Sequence, residues 1–351
     1  MDLPHRVVVG ASILEKINEF LEIPAGKALI ITGRKTWEIA GKRIYESLEA
    51  SQIVEHVFID KPLIEEAEKI SERYKDFDLF IGVGGGKNID IAKYSAYITN
   101  KPFVSVPTNA SNDGIASHIA SLYDSEGIRR SIPTKPPMLV LADVEVISKA
   151  PQRFIRAGVG DALSNLTAVR DRILAYKLRG EYFSEYAAEL SRLSAELVLK
   201  YAPIIKEGLL EGIRVLIKSL ISSGVAMAIA GSSRPASGAE HLFAHALERL
   251  RPGAALHGEL VGVGTIMMSY LHGMDRKAIR EALLSVGAPV DYRGLNVEPI
   301  DIIRALTMAH KIRKRYTILG ESGISRKAAV RLAERTLVIP RGAVDDRDQE
   351  S

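Results

Sequence analysis

DLFIGVGGGKNIDIAK, residues 78–93, decides the fold. The run 78–84 is apolar and strand-like, three consecutive glycines follow at 84–86, and from Asn88 the spacing turns helical, predicting a helix over 88–98. A strand that enters a helix through such a turn is where α/β sheets bind phosphate. Residues without a Cβ let backbone N–H groups approach an anion, and the helix aims its positive end at the same point. The turn is not G-x-G-x-x-G, because Lys87 stands where the third glycine belongs, and it lacks the Gly-Lys-Ser/Thr ending of a P-loop. A tight turn with no ligand therefore stays open beside a pyrophosphate site.

The same rhythm extends outward in both directions. Strand-like runs at 6–10, 27–33, 54–59, 78–84 and 103–107 alternate with helical patterns at 12–21, 36–49, 63–74 and 88–98. Alternation of this kind predicts a doubly wound, mostly parallel, Rossmann-like sheet. The segment 119–142 breaks the alternation, and its Asp-Ser-Glu-Gly turn between extended runs suggests a hairpin appended to the sheet. After residue 150 the strand signal ends. Helical periodicity runs through 160–178, 184–201, 209–230, 237–249, 257–272, 275–286, 299–310 and 325–336, an all-helical second domain. The expected organisation is a dinucleotide-binding α/β domain over 1–150, a helical domain over 151–340 and a frayed polar tail over 341–351.

Composition narrows the class of protein. The chain has 351 residues, 46% hydrophobic and 26% charged, which excludes disorder and fibrous architectures. The net charge is only +4, with Lys and Arg interleaved with Glu instead of forming a stripe, so no nucleic-acid partner is expected. There is no cysteine, which excludes disulfides and fits the cytoplasm; with few Gln and many Lys, Arg and Glu the balance leans towards a thermophilic source. The most apolar helical stretch, VLIKSLISSGVAMAIAG, is interrupted by Lys218 and reads as a core helix, so no stable membrane insertion is expected. No secretory signal is visible at the N-terminus.

Chemistry concentrates in SGAEHLFAHALERLRPGAALHGE, residues 237–259. His241 and His245 are four apart and share a helix face, and His257 follows after a loop built on Pro252 and Gly253. Three of the eight histidines in seventeen residues suggest a metal site of nitrogen and oxygen donors. Spacing alone leaves open two polar side chains on a partly buried face. A carboxylate to complete the set stands in AGVGDALSNLTA (157–168), where Gly160 frees the backbone and Asp161 is expected in the first turn of a helix. Asp there is also an ordinary stabilising feature. The loop PTNASNDGIASH (107–118), after the next strand, carries Thr108, Ser111, Asn112, Asp113 and Ser117, and consecutive strand ends would put it on the same rim as the glycine turn. Asp60, closing the run IVEHVFID, would repel a ribose 2′-phosphate and favour NAD. Arg234, just before the histidine helix, is the candidate anchor for a substrate phosphate, although an Arg there is often solvated or a cap.

Taken together, GVGGGKNIDIAK (82–93), PTNASNDGIAS (107–117), GDALSN (160–165), SGAEHLFAHAL (237–247) and LHGELVGVG (256–264) occur in one order across the chain. In these motifs the sequence resembles the archaeal sn-glycerol-1-phosphate dehydrogenases, of the glycerol dehydrogenase, 3-dehydroquinate synthase and iron-containing alcohol dehydrogenase superfamily, from about residue 5 to 340. The resemblance implies a dehydroquinate synthase-like fold, Zn²⁺ and NAD(P) as cofactors, and reduction of dihydroxyacetone phosphate to sn-glycerol 1-phosphate for archaeal ether phospholipids. It also implies zinc ligands at Asp161, His241 and His257, and substrate contacts and catalytic roles at Asp161, Asp113 and His245. Coenzyme contacts would fall at Gly84, Gly85, Gly86, Lys87, Asn88, Ile89 and Asp90, at Thr108, Asn109, Ala110 and Ser111, and at Ser117. Tolerance of both coenzymes and a homo-oligomer are further expectations. Rival readings are a glycerol dehydrogenase acting on an unphosphorylated polyol, a dehydroquinate synthase-type lyase, and a non-catalytic nucleotide-binding protein.

Overall fold

The computed structural model describes residues 2–22 and 26–344, so most of the expected tail, 345–351, lies outside the described residues. Six strands form one parallel sheet in the order β1-β8-β5-β4-β2-β3: β1 (Arg6–Gly10), β2 (Lys27–Thr32), β3 (Ile53–Phe58), β4 (Leu79–Gly84), β5 (Phe103–Pro107) and β8 (Leu139–Asp143). Between β5 and β8 in sequence, β6 (Ile119–Tyr123) and β7 (Arg129–Pro133) pair antiparallel as a separate ribbon. Alternate residues face opposite cores, Leu29, Ile31 and Phe80 on one side and Ile30, Ile81 and Val104 on the other. Both faces are thus covered by other elements, which is why these strands read as unbroken apolar runs.

The helices of this half are α1 (Ile17–Phe20), α2 (Arg34–Thr36), α3 (Lys42–Leu48), α4 (Ile64–Arg73), α5 (Gly86–Ile98) and α6 (Val144–Ser148). Two expectations are corrected here. The helix expected at 12–21 is a 3₁₀ turn at Leu14–Lys16 followed by the single turn α1. The appended hairpin is only β6 and β7; LVLAD (139–143) returns to the parallel sheet between β1 and β5, where both faces of the strand are buried. Strand order is set by long-range pairing, which local periodicity does not encode.

The C-terminal domain is helical: α7 (Gln152–Arg179), α8 (Glu185–Lys206), α9 (Leu210–Ala230), α10 (Ala239–Leu250), α11 (His257–Leu271), α12 (Arg276–Ser285), α13 (Pro299–Met308) and α14 (Arg326–Arg335). Helix α9 is long and apolar enough to cross a membrane, and it packs against α7 and α8 with Leu216, Ile217 and Leu220 fully buried.

A third correction concerns Asp161, which lies inside α7 and not in a first turn, because the helix begins at Gln152 after Pro151. Gly158 and Gly160 are helical residues whose missing Cβ lets other backbone come close. A Cβ on Gly160 would lie 2.2 Å from the Gly258 carbonyl oxygen, one on Gly258 2.0 Å from that of Ala157, and one on Gly158 1.9 Å from that of Ala110. Helices α7 and α11 therefore touch backbone to backbone. This contact sets Asp161, next to Gly160, beside His257, next to Gly258.

Candidate active site

A cleft of about 940 Å³ runs between the rim of the sheet and the helical domain, with Gly86, Lys87 and Ser111 on one side and Asp161, His241 and His257 on the other. Gly84 and Pro107 are register partners at the ends of β4 and β5, which brings the glycine turn and the 107–118 loop to one rim.

Asp161, His241 and His257 present ligand atoms all within 4.8 Å of one another, and Asp161 Oδ1 is 3.8 Å from His241 Nε2. Helix α10, which carries His241, is fixed at its start by Asp171 of α7. That carboxylate accepts the Ala239 N–H at 2.6 Å and also binds His272 Nε2 at 3.0 Å and the Ile318 N–H at 2.6 Å. The imidazoles are oriented by carboxylates. His241 Nδ1 lies 2.9 Å from Glu240 Oε1, and His257 Nδ1 lies 2.8 Å from Glu248 Oε1. Burial pushes both glutamates towards protonation, but His241 outweighs it at Glu240, and Arg129 and His257 outweigh it at Glu248, so both stay ionised, Glu248 well below its ordinary range. An ionised carboxylate only accepts, so each histidine donates from Nδ1 and keeps Nε2 for a cation.

The carboxylates facing this point are in the opposite condition. Burial, reinforced by the neighbouring charge of Asp113, raises Asp161 well above the usual carboxylate range, although the Asp113 backbone N–H donates to its Oδ2 at 2.9 Å. Burial also raises Asp113, against the hydrogen bond that Ser223 Oγ donates to Oδ2 at 2.8 Å. Arg129 at Asp161 and Lys93 at Asp113 only partly offset this burial, and a divalent cation would supply further positive charge. Burial lowers His241, with Glu240 opposing, which leaves its imidazole neutral as ligation requires.

His245 is not one of the trio, although its ring centre lies 5.1 Å from that of His257, as close as His241 at 5.2 Å, and 6.3 Å from that of His241. Its Nδ1 donates to Glu248 Oε2 at 2.9 Å, and Arg313 Nη2 is 3.2 Å from its Nε2. Burial drives His245 down to about 3, outweighing Glu248, so the ring is neutral with its proton on Nδ1. His245, Glu248 and His257 form a second group close enough to hold a cation, but Glu248 is already engaged with Arg129 at 2.8 Å.

At the glycine turn Gly84 has φ +145°, open to glycine but rarely to other residues, and a Cβ on Gly85 would meet Asn109 Nδ2 at 2.7 Å. Of the residues expected to meet a coenzyme, Gly86, Lys87, Asp90, Ser111 and Ser117 line the cleft. Asn88 is buried and donates to Thr36 Oγ1 and the Val83 carbonyl, Ile89 points into the core, and Thr108, Asn109 and Ala110 are buried behind the rim. These residues shape the turn from behind. Lys93, fully buried, was not among the expected residues; its Nζ joins Asp90 Oδ1, the Gly114 carbonyl and the Ile119 carbonyl at 2.8–3.0 Å, tying α5 to the second loop. Its spacing of three from Asp90 on a helix was the available signal.

Two sequence-based candidates are not among the residues lining the cleft. Asp60 follows the edge strand β3, is exposed, and meets the glycine turn through its backbone carbonyl, which accepts from Lys87 Nζ at 3.0 Å. Arg234 is buried and donates Nη2 to Glu181 Oε2 and to the Tyr316 carbonyl, each at 2.9 Å, and does not itself line the cleft, although its neighbour Ser233 does. Glu240, Glu248, Arg129 and Arg313 were missed. Glu240 and Glu248 lie on the histidine helix itself, one residue before His241 and three after His245, whereas the two arginines come from distant segments.

Residues 8–151 match the iron-containing alcohol dehydrogenase family. Glycerol-1-phosphate dehydrogenase [NAD(P)+] of Thermococcus sibiricus is 51% identical over 344 residues, covering 97% of this chain and 98% of that protein. The protein of the same name from Pyrococcus abyssi is 49% identical over 347 residues, covering 97% and 99%. Among solved structures, a probable glycerol dehydrogenase from Sinorhizobium meliloti superposes with a TM-score of 0.81 at 24% identity, covering 96% of this chain and 98% of that one. A glycerol dehydrogenase from Schizosaccharomyces pombe gives 0.80 at 22% identity, covering 96% and 91%, and these two likenesses concern the fold alone.

Proposed function

The chain belongs to the glycerol-1-phosphate dehydrogenase family, and from that premise we propose that it reduces dihydroxyacetone phosphate to sn-glycerol 1-phosphate with NADH or NADPH, using one Zn²⁺ held by Asp161, His241 and His257. The observation that carries the reading is the grouping of these three side chains in the same cleft as the glycine turn. One carboxylate and two imidazoles, each imidazole backed by a second carboxylate, suit zinc at a catalytic site, and they would accept iron as well. The side-chain-free surface at Gly84–Gly86 suits a pyrophosphate, so residues 1–150 would hold the coenzyme and 151–340 the metal.

When bound, the nicotinamide supplies hydride and Zn²⁺ supplies Lewis-acid stabilisation of negative charge on oxygen. The chain's own residues do the rest. Asp161 offers Oδ1 because Oδ2 is engaged by the Asp113 N–H. Asp113, fixed by Ser223, orients the substrate hydroxyl beside Asp161. His245 faces the substrate through Nε2. Because that nitrogen carries no proton and accepts from Arg313 Nη2 at 3.2 Å, His245 positions the substrate, and the product oxygen takes its proton from bulk solvent through the cleft, where the hydroxide left behind is neutralised by buffer.

We further propose that the protein acts in the cytoplasm as a homo-oligomer. Exposed Tyr176, Leu178, Tyr182 and Tyr186 near the junction of α7 and α8 offer an apolar surface that supports self-association.

Metal-replete protein given dihydroxyacetone phosphate and NADH tests the reading. Stoichiometric NADH loss is expected, with a product accepted by an enzyme specific for sn-glycerol 1-phosphate. Faster turnover of free dihydroxyacetone would favour a glycerol dehydrogenase, and turnover without net NADH loss a lyase.

A further inference from the structure

We propose that Arg313 receives the phosphate of the substrate and so selects a phosphorylated three-carbon ketone over the free polyol; this rests on the reaction proposed above. Arg313 follows the 3₁₀ turn Ala309–Lys311 and enters the cleft wall, where Nη2 donates to Ser131 Oγ at 2.6 Å and lies 3.2 Å from His245 Nε2. Among the described residues it forms no ion pair with a carboxylate. Glu248, which lines the same cleft, is occupied by Arg129 at 2.8 Å and by the Nδ1 atoms of two histidines.

The surroundings add positive charge instead of cancelling it. Burial disfavours the charged form of Arg313, and Arg129 and Arg249 act in the same direction while Glu248 opposes. Arg315, two residues on, also lacks a carboxylate partner among the described residues, and its guanidinium is spent on the Ser237 carbonyl and on Ser233 Oγ. A half-buried cation among cations is costly unless an anion joins it.

The cleft therefore has two ends. Asp161, His241 and His257 gather at one end, where a metal belongs, and the Arg313 guanidinium stands one imidazole away, beyond His245. A three-carbon ketone with its oxygens at the metal and a phosphate at its other end suits that arrangement. Of the other cations lining the cleft, Lys87 Nζ donates to the Ile59 and Asp60 carbonyls, Arg130 is paired with Asp124 and Arg129 with Glu248. Arg249 adds positive charge beside Arg313, but only Arg313 reaches His245.

The test compares wild type with Arg313→Ala, Arg313→Gln and Arg313→Lys, each confirmed folded by circular dichroism. Kinetics are measured with dihydroxyacetone phosphate, dihydroxyacetone and varied NADH, and binding of inorganic phosphate is measured by calorimetry. Loss of a charge-assisted hydrogen bond predicts that Ala and Gln each lower kcat/KM for the phosphorylated ketone by roughly ten- to a hundredfold, chiefly through KM. Activity on dihydroxyacetone should fall far less, any loss there reflecting the lost contact with His245 Nε2; the KM for NADH should not change, phosphate binding should weaken, and Lys should recover part of both losses. Equal losses on both ketones, no loss on either, or a loss expressed in the KM for NADH would overturn the assignment. If wild type fails to reduce dihydroxyacetone phosphate, the proposed reaction falls. Phosphate binding then decides Arg313 alone: abolished in Arg313→Ala it stands, retained it falls.

Discussion

Glu248 accepts the Nδ1–H of His257 at 2.8 Å through one carboxylate oxygen, while its other oxygen accepts the Nδ1–H of His245 at 2.9 Å. A single ionised side chain thus fixes the tautomers of the histidine assigned to the metal and the histidine assigned to the substrate. Glu248→Gln removes the acceptor-only character that forces those tautomers. Zinc affinity should fall roughly ten- to a hundredfold, as for other carboxylates that back a metal-bound imidazole. Competition against a chelator of known strength measures it, and unchanged affinity would show that His257 is not oriented in this way.

Protons should compete with the metal. Burial and Asp113 hold Asp161 protonated above the usual carboxylate range, whereas burial leaves His241 neutral, so the proton displaced on metal binding comes from the carboxyl group. A raised pKa means affinity climbs as pH rises through that raised value and levels off above it. Calorimetry of zinc binding in buffers of different ionisation enthalpy should show proton release that fades at higher pH. Release that stays flat with pH would contradict the raised Asp161.

The glycine contact between α7 and α11 should be intolerant of any side chain. Gly160→Ala places a methyl 2.2 Å from the Gly258 carbonyl oxygen, against backbone that cannot rotate away. Overpacking of this kind costs about 3 kcal/mol, readable as a lowered denaturation midpoint. Zinc affinity should fall with it, because the helices that carry Asp161 and His257 are forced apart. A variant of wild-type stability would mean that the two helices can separate freely.

Coenzyme choice should depend little on Asp60. Asp60 follows the edge strand β3 and touches the glycine turn only through its backbone carbonyl, which accepts from Lys87 Nζ and is kept when the side chain is removed, while the carboxylate is exposed. Asp60→Ala should leave the ratio of kcat/KM for NADH and NADPH close to that of wild type. A shift towards NADPH of more than about tenfold, the equivalent of 1.4 kcal/mol, would place the ribose 2′-position beside this carboxylate.

Much of this architecture was legible where local rules govern. The glycine turn, the helices around His241 and His257, and the shared rim of the two loops follow from periodicity and from Gly and Pro punctuation. The failures were long-range. Gly160 looked like the freedom of a helix start, yet it is glycine because Gly258 presses against it from elsewhere in the chain, as Ala110 presses against Gly158. LVLAD looked like half of a hairpin because sequence order does not say that β8 inserts between β1 and β5. Arg313 carries no local signal, since its meaning comes from Ser131 and His245, far away in sequence.

The central claim is the division of labour among the three histidines, and metal content measures it most directly. Zinc per chain should be determined on purified His257→Ala and His245→Ala proteins after equilibration with limiting metal. The account predicts that His257→Ala loses the metal and that His245→Ala keeps about one ion per chain while its kcat collapses. A metal-free His245→Ala protein would contradict it and move His245 into the coordination sphere.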